Sequence, residues 1–282
     1  MVRYLLAAIA ALVSQVFMMA PASAQDVNLF PLRVVMDERT RTAEITVFNK
    51  AATEGTYRVE LIDRFMSVGG SVQPFDEKSP RPSDWRTAEP FLRVFPREVK
   101  LKPGESQSIR VAVRLPATVT PGEYRTHLTV TSVPSAEGGE SIESAAGRAE
   151  GNIVIAIRPI YGISIPLIIR VGGLSSKASI ADARIAAIEG GERAMALTLN
   201  RSGNASVYGD VEILWRQPNG KEKRIGLSRG VAVYPEVASR PARVLLDPEA
   251  IKGLSGGSTI IRYSTDAENK GVVLAEATGP GL

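Results

Sequence analysis

Gly151–Arg170 reads GNIVIAIRPIYGISIPLIIR, and this stretch decides the fold. Every odd position from Ile153 to Ile169 is apolar, while the even positions mix Arg158, Gly162, Ser164 and Arg170 with apolar residues. A period of two places the odd side chains on one face of an extended strand. At roughly 3.3 Å per residue the run could reach about 50 Å, more than twice a usual strand. Such a length predicts a strand that leaves one domain and runs into the next. Pro159 and Pro166 have no N–H to give a ladder, so they point to a sheet edge, a strand start or a bulge. A long apolar edge is a pairing hazard that soluble proteins blunt, unless they use it to add a strand to a partner's sheet. The same pattern also fits the buried last strand of a β-sandwich followed by a linker.

Upstream of this run the chain alternates in short segments. Asn28–Met36, Thr42–Asn49, Thr56–Arg64, Phe91–Pro96, Ser106–Leu115 and Tyr124–Val133 read as strands. Turn sequences such as Val68-Gly69-Gly70, Lys102-Pro103-Gly104 and Thr120-Pro121-Gly122 separate them. With Ile153–Ile169 these make seven strands, a spacing that predicts an immunoglobulin-like sandwich. Trp85 falls in a Pro/Ser/Asp-rich loop and reads as a lid over a sandwich edge. Downstream, Val171-Gly172-Gly173 marks a boundary, and eight further segments between Ser179 and Glu276 read as a second β-sandwich. Pro218-Asn219-Gly220 is a hairpin signal, and the alanines of Ser179–Ala187 would also suit a helix. The predicted class is all-β, with two immunoglobulin-like β-sandwich domains in tandem joined by a long edge strand. Residues 25–170 form the first domain and 171–282 the second.

Residues 1–24 read as a secretory signal peptide: Arg3, the apolar run Tyr4–Ala20, and Ala22-Ser23-Ala24 before Gln25. No later apolar run is long and unbroken enough for a membrane span. Export without any cysteine fits a bacterial periplasm, with no stable membrane insertion after cleavage. The net charge is +4, or +3 once Arg3 leaves with the leader, and the basic residues are scattered apart from Lys221–Arg224. That excess does not point to nucleic acid. Thiolate metal sites are excluded, and the single histidine, His127, leaves no His-rich metal centre. His127 lies in an alternating strand and reads as a structural imidazole. No cofactor, metal or catalytic residue is predicted. Carboxylates such as Asp76, Glu77, Asp210 and Glu212 would allow an acid pair in principle, but nothing in their spacing marks one.

Two segments carry a family resemblance. Asn28–Asn49, NLFPLRVVMDERTRTAEITVFN, resembles the opening strands of the periplasmic pilus-assembly chaperones, the PapD-like family. Pro90–Arg110, PFLRVFPREVKLKPGESQSIR, resembles that family's apolar segment, proline, basic-apolar pair and PGE turn. Ile153–Arg170 is similar to the last strand of its first domain. The resemblance implies two sandwiches in a boomerang, a non-enzymatic function, and donation of an edge strand to an incomplete pilus or fimbrial subunit. It implies that subunit as partner and allows an outer-membrane usher as a second. On this resemblance Arg33 falls on the first cleft residue that holds the subunit's C-terminal carboxylate, and Ile153, Ile155 and Ile157 fall on the groove-filling side chains. The family's second basic residue falls on Gly162, and no lysine occurs between Lys102 and Lys177. Arg158, on the same strand face four residues earlier, is the expected partial replacement. A structural or adhesive β-sandwich protein of a surface assembly is the alternative.

Overall fold

A computed structural model describes residues 27–83, 85–134, 160–266 and 271–281. The predicted leader, Ile153, Ile155, Ile157 and Arg158 lie outside the described residues. Strands dominate, and they form two sandwiches. In the first, β1 (Val27–Phe30), β2 (Val34–Asp37), β3 (Thr42–Asn49), β4 (Gly55–Ile62), β5 (Arg64–Met66) and β6 (Val72–Pro74) come first. Then follow β7 (Leu92–Phe95), β8 (Glu98–Leu101), β9 (Ser106–Val113), β10 (Gly122–Val133) and β11 (Gly162–Val171). One sheet runs β1-β3-β9-β7 and the facing one β2-β11-β10-β4-β8. Alternate side chains from both meet in a core that includes Ile45, Val47, Ile109, Leu128, Val130 and Ile165.

Several elements differ from the sequence reading. Asn28–Met36 is two strands, not one, and they sit in opposite sheets. Pro31 cannot donate to a ladder, so the chain turns over Pro31–Arg33 and changes sheets. Thr56–Arg64 also divides: β4 stops at Ile62, and β5 pairs instead with β6 in a small hairpin. Gly70 turns that hairpin at φ +86°, a region open to glycine and strained for other residues.

The second sandwich contains β12 (Ser176–Ala187), β13 (Arg193–Gly203), β14 (Val207–Arg216), β15 (Glu222–Val233), β16 (Ser239–Leu245), β17 (Ser258–Ser264) and β18 (Val273–Thr278). Its sheets run β12-β13-β16 and β15-β14-β17-β18. The alanine-rich stretch is strand β12, because Ala178, Ile180, Ala183 and Ile185 pack on the second core. Pro218-Asn219-Gly220 makes the β14–β15 turn, with Gly220 at φ +83°. Lys223–Leu227 and Val231–Val233 belong to the single irregular strand β15, which shifts register against β14.

β11 connects the two cores. Its odd positions Ile165, Leu167 and Ile169 fill the first, whereas Ile168 points the other way into the second. Met66 at the end of β5 joins Ile168 there. The polar face of β10 is buried along this seam between the sandwiches, so Glu123, Arg125, His127 and Thr129 are all shielded from water.

Candidate functional site

The free edge of β11 is short. β10 pairs with all of Gly162–Val171, but β2 runs parallel to β11 only over Leu167–Arg170. Gly162–Pro166 therefore has one neighbour among the described strands. Ser132 N–H donates to Tyr161 O at 2.8 Å, so odd positions turn their backbone groups toward β10 and even ones turn outward. Gly162 and Ser164 offer the open groups, and Pro166, which has no N–H, lies on the side where none is needed. Just before this edge, Ile160 is 62% exposed and Tyr161 43%. The odd face beyond Gly162 is sealed inside the protein's own core, so the described half of the strand is open by its backbone rather than by its apolar side chains.

Arg33 stands where this open edge ends. Val34 is level with Leu167, so extending the parallel register by one residue sets Arg33 beside Pro166. Its Nη2 donates to Ser206 Oγ at 3.3 Å, and its guanidinium lies 4.4 Å from the Tyr208 ring centre and 5.9 Å from that of Tyr234. Those three residues belong to the second sandwich, so Arg33 reaches across the seam. Its Nη1 is buried without an acceptor. Burial pushes the guanidinium below its ordinary range, and the nearby Glu123 acts in the opposite direction. A second cation, Arg170 on β11, acts on Arg33, and its Nε donates to Glu123 Oε2 at 3.1 Å. Ser206 closes the group by donating its N–H at 3.0 Å and its hydroxyl at 2.9 Å to the same oxygen.

A second cluster lies further along β10. Arg125, 3% exposed, holds Glu236 through both terminal nitrogens and lies 3.7 Å from the Tyr234 ring centre and 5.2 Å from that of Trp85. Trp85, read as a lid, stacks edge-on against Phe75 and covers Arg125. His127 is 2% exposed, with Nδ1 lacking a partner. Glu123, Arg125, Arg170, Ser206, Tyr208, Tyr234 and Glu236 were not singled out from the sequence. A strand that alternates apolar and polar looks half-exposed until a second domain covers its polar face.

Three of the four carboxylates considered for acid chemistry hold local structure instead. Asp76 accepts from the N–H groups of Lys78 and Ser79, Asp210 from Gly230 N–H, and Glu212 pairs with Arg224. Among the described residues no group of three or more His, Cys, Asp or Glu could hold a metal ion, and no helix is long and apolar enough to cross a membrane.

No protein-family model and no curated protein matches the sequence. Among solved structures the chain is similar to the YadV chaperone, with a TM-score of 0.44 at 11% identity, covering 90% of this chain and 99% of that one. It is similar to the periplasmic chaperone SfaE, with a TM-score of 0.43 at 11% identity, covering 91% and 100%. A chain from the structure of Salmonella enterica SafA pilin in complex with the SafB chaperone matches with a TM-score of 0.41 at 14% identity, covering 91% and 97%.

Proposed function

We propose that the chain is a periplasmic, non-enzymatic chaperone that stabilises secreted pilus or fimbrial subunits by lending an edge β-strand to their incomplete immunoglobulin-like fold. The observation that carries this reading is the open edge Gly162–Pro166 ending at a guanidinium with an unpartnered Nη1. A strand added there can pair with Gly162 and Ser164 but stops at Leu167, where β2 already occupies the ladder. Its end then meets Arg33. A carboxylate suits that position and an ammonium does not, so the partner strand runs parallel to β11 with its C-terminus at Arg33. In this reading Arg33 and Arg158 anchor the C-terminus. Ile153, Ile155 and Ile157 fill the subunit's groove, the main chain supplies affinity, and alternate side chains set register.

The test is affinity purification from periplasmic extract of cells carrying the tagged wild type, Arg33→Ala, or Ile155→Asp with Ile157→Asp. Wild type should bring down a small secreted β-protein in equal amount. The double aspartate variant should fold yet capture none, and Arg33→Ala should weaken capture by about 1.5–3 kcal/mol, the scale of a hydrogen bond to a charged group. Equal capture by the folded double variant would refute strand donation. Recovery of the chain within a purified surface fibre would instead favour a structural role.

A further inference from the structure

The β5–β6 hairpin crosses the seam and is fastened at three points. The Met66 side chain is buried in the second core, and its N–H donates to Glu236 Oε1 at 2.6 Å. Arg64 O accepts from Arg125 Nη2 at 3.1 Å. The outward backbone groups of β5 thus end on the Arg125–Glu236 pair instead of another strand. At the hairpin tip, a Cβ at Gly70 would sit 2.8 Å from Arg240 Nε, so the turn packs against the Arg240 side chain of β16. Arg240 is held in turn by its bond to Ala232 O at 2.8 Å.

His127 lies beneath this arrangement, two residues along β10 from Arg125 and on the same face. Across the sheet it is level with Ile62 on β4 and Pro166 on β11. The charged groups acting on it are Arg125 on its own strand, Arg64 on β5 and Arg33 ahead of β2. Of the seam carboxylates, Glu236 is held by Arg125 and Met66 N–H, and Glu123 Oε2 by Arg170 and Ser206; Glu123 Oε1 has no partner but lies four residues along β10 from His127. A proton on the imidazole would add a fourth positive charge among three guanidiniums, and no carboxylate is among the charged groups acting on it.

We propose that the β5–β6 hairpin is an acid-releasable strap between the two sandwiches, and that protonation of His127 beneath it is the event that releases it. Burial first, then Arg125, Arg64 and Arg33, hold the imidazole down to about 3 while the strap is closed. Lifting the hairpin exposes it to water and restores a value near 6.5. Because the closed form has the depressed value, its advantage is complete above pH 6.5 and is lost as the pH falls toward 3. Each pH unit in that window shifts the closed-to-open ratio by up to tenfold. Opening would also withdraw Tyr208 and Tyr234 from Arg33, so the strap would govern the proposed anchor; only this last consequence rests on the chaperone reading.

The chain has no cysteine, so Val68→Cys on the hairpin, 76% exposed, and Lys252→Cys on the second sandwich give a unique spin-label pair. Wild type should show one narrow distance at pH 7.5 and a longer component that grows from pH 6 to 4 while the far-ultraviolet β-sheet signal persists. His127→Gln should keep the narrow distance across that range. His127→Lys, where it folds, should show the long component already at pH 7.5. Opening of His127→Gln with the wild-type profile would assign the response to carboxylates and overturn the proposal. A distance that changes only when the β-sheet signal collapses would overturn it as well.

Discussion

The two faces of β10 are buried to a similar degree by opposite chemistry. On one, Tyr124, Leu128 and Val130 enter the first core, where burial is non-directional and a neighbour of similar size can substitute. On the other, Glu123, Arg125 and His127 lie in the seam, where Glu123 and Arg125 bond across to Ser206 and Glu236 of the second sandwich and His127 Nδ1 has no partner. The difference shows what each face contributes. The apolar face stabilises a sandwich, and the polar face fixes how one sandwich sits on the other.

The largest effect should come from splitting a seam pair. Glu236→Ala leaves Arg125 buried without its carboxylate and removes the acceptor for Met66 N–H, so it should destabilise the protein by about 4 kcal/mol. Replacing both charges, Arg125→Met with Glu236→Leu, should recover about half of that loss, since an apolar pair carries no charge-desolvation cost but leaves Met66 N–H and Arg64 O without these partners. Urea unfolding of the three proteins checks this. A double variant as unstable as the single one would mean that the seam is held by something other than this pair. On the core face, Leu128→Ala removes a fully buried side chain and should cost about 3 kcal/mol with no partner change able to restore it. That contrast, rescue on one face and none on the other, is the comparison in measurable form.

How much of this was legible follows from the same two faces. Apolar alternation marked most of the first-sandwich strands, because a period of two is a local property of consecutive residues. It could not mark the change of sheet at Pro31 or the departure of β5 from the end of β4, since both sides of each break stay extended. β8 was passed over because Glu98–Leu101 buries only Val99 and Leu101. The alanines of β12 left helix and strand open, and only packing on the second core decides between them. Arg33 was legible through resemblance alone. Arg125 and Glu236 stand 111 residues apart, and no local pattern announces that pairing.

The smallest expected effect on stability is at Arg33, and it sharpens the contrast most. Truncation to alanine forfeits the stack on Tyr208 and one long hydrogen bond, on the order of 1 kcal/mol together. It also removes a buried Nη1 that has no acceptor, a strain of similar size with the opposite sign. The two should nearly cancel, leaving Arg33→Ala within about 1 kcal/mol of wild type by urea unfolding. Arg125 in the same seam has a carboxylate on both terminal nitrogens, although its Nε is unpartnered, whereas Arg33 bonds no carboxylate and a folded protein normally settles such a group internally. A residue whose loss barely alters stability but weakens capture more than about tenfold is kept for a partner's charge. If Arg33→Ala proves as destabilising as Glu236→Ala, the guanidinium is a structural brace like Arg125, and the open edge of β11 has no anchor at its end.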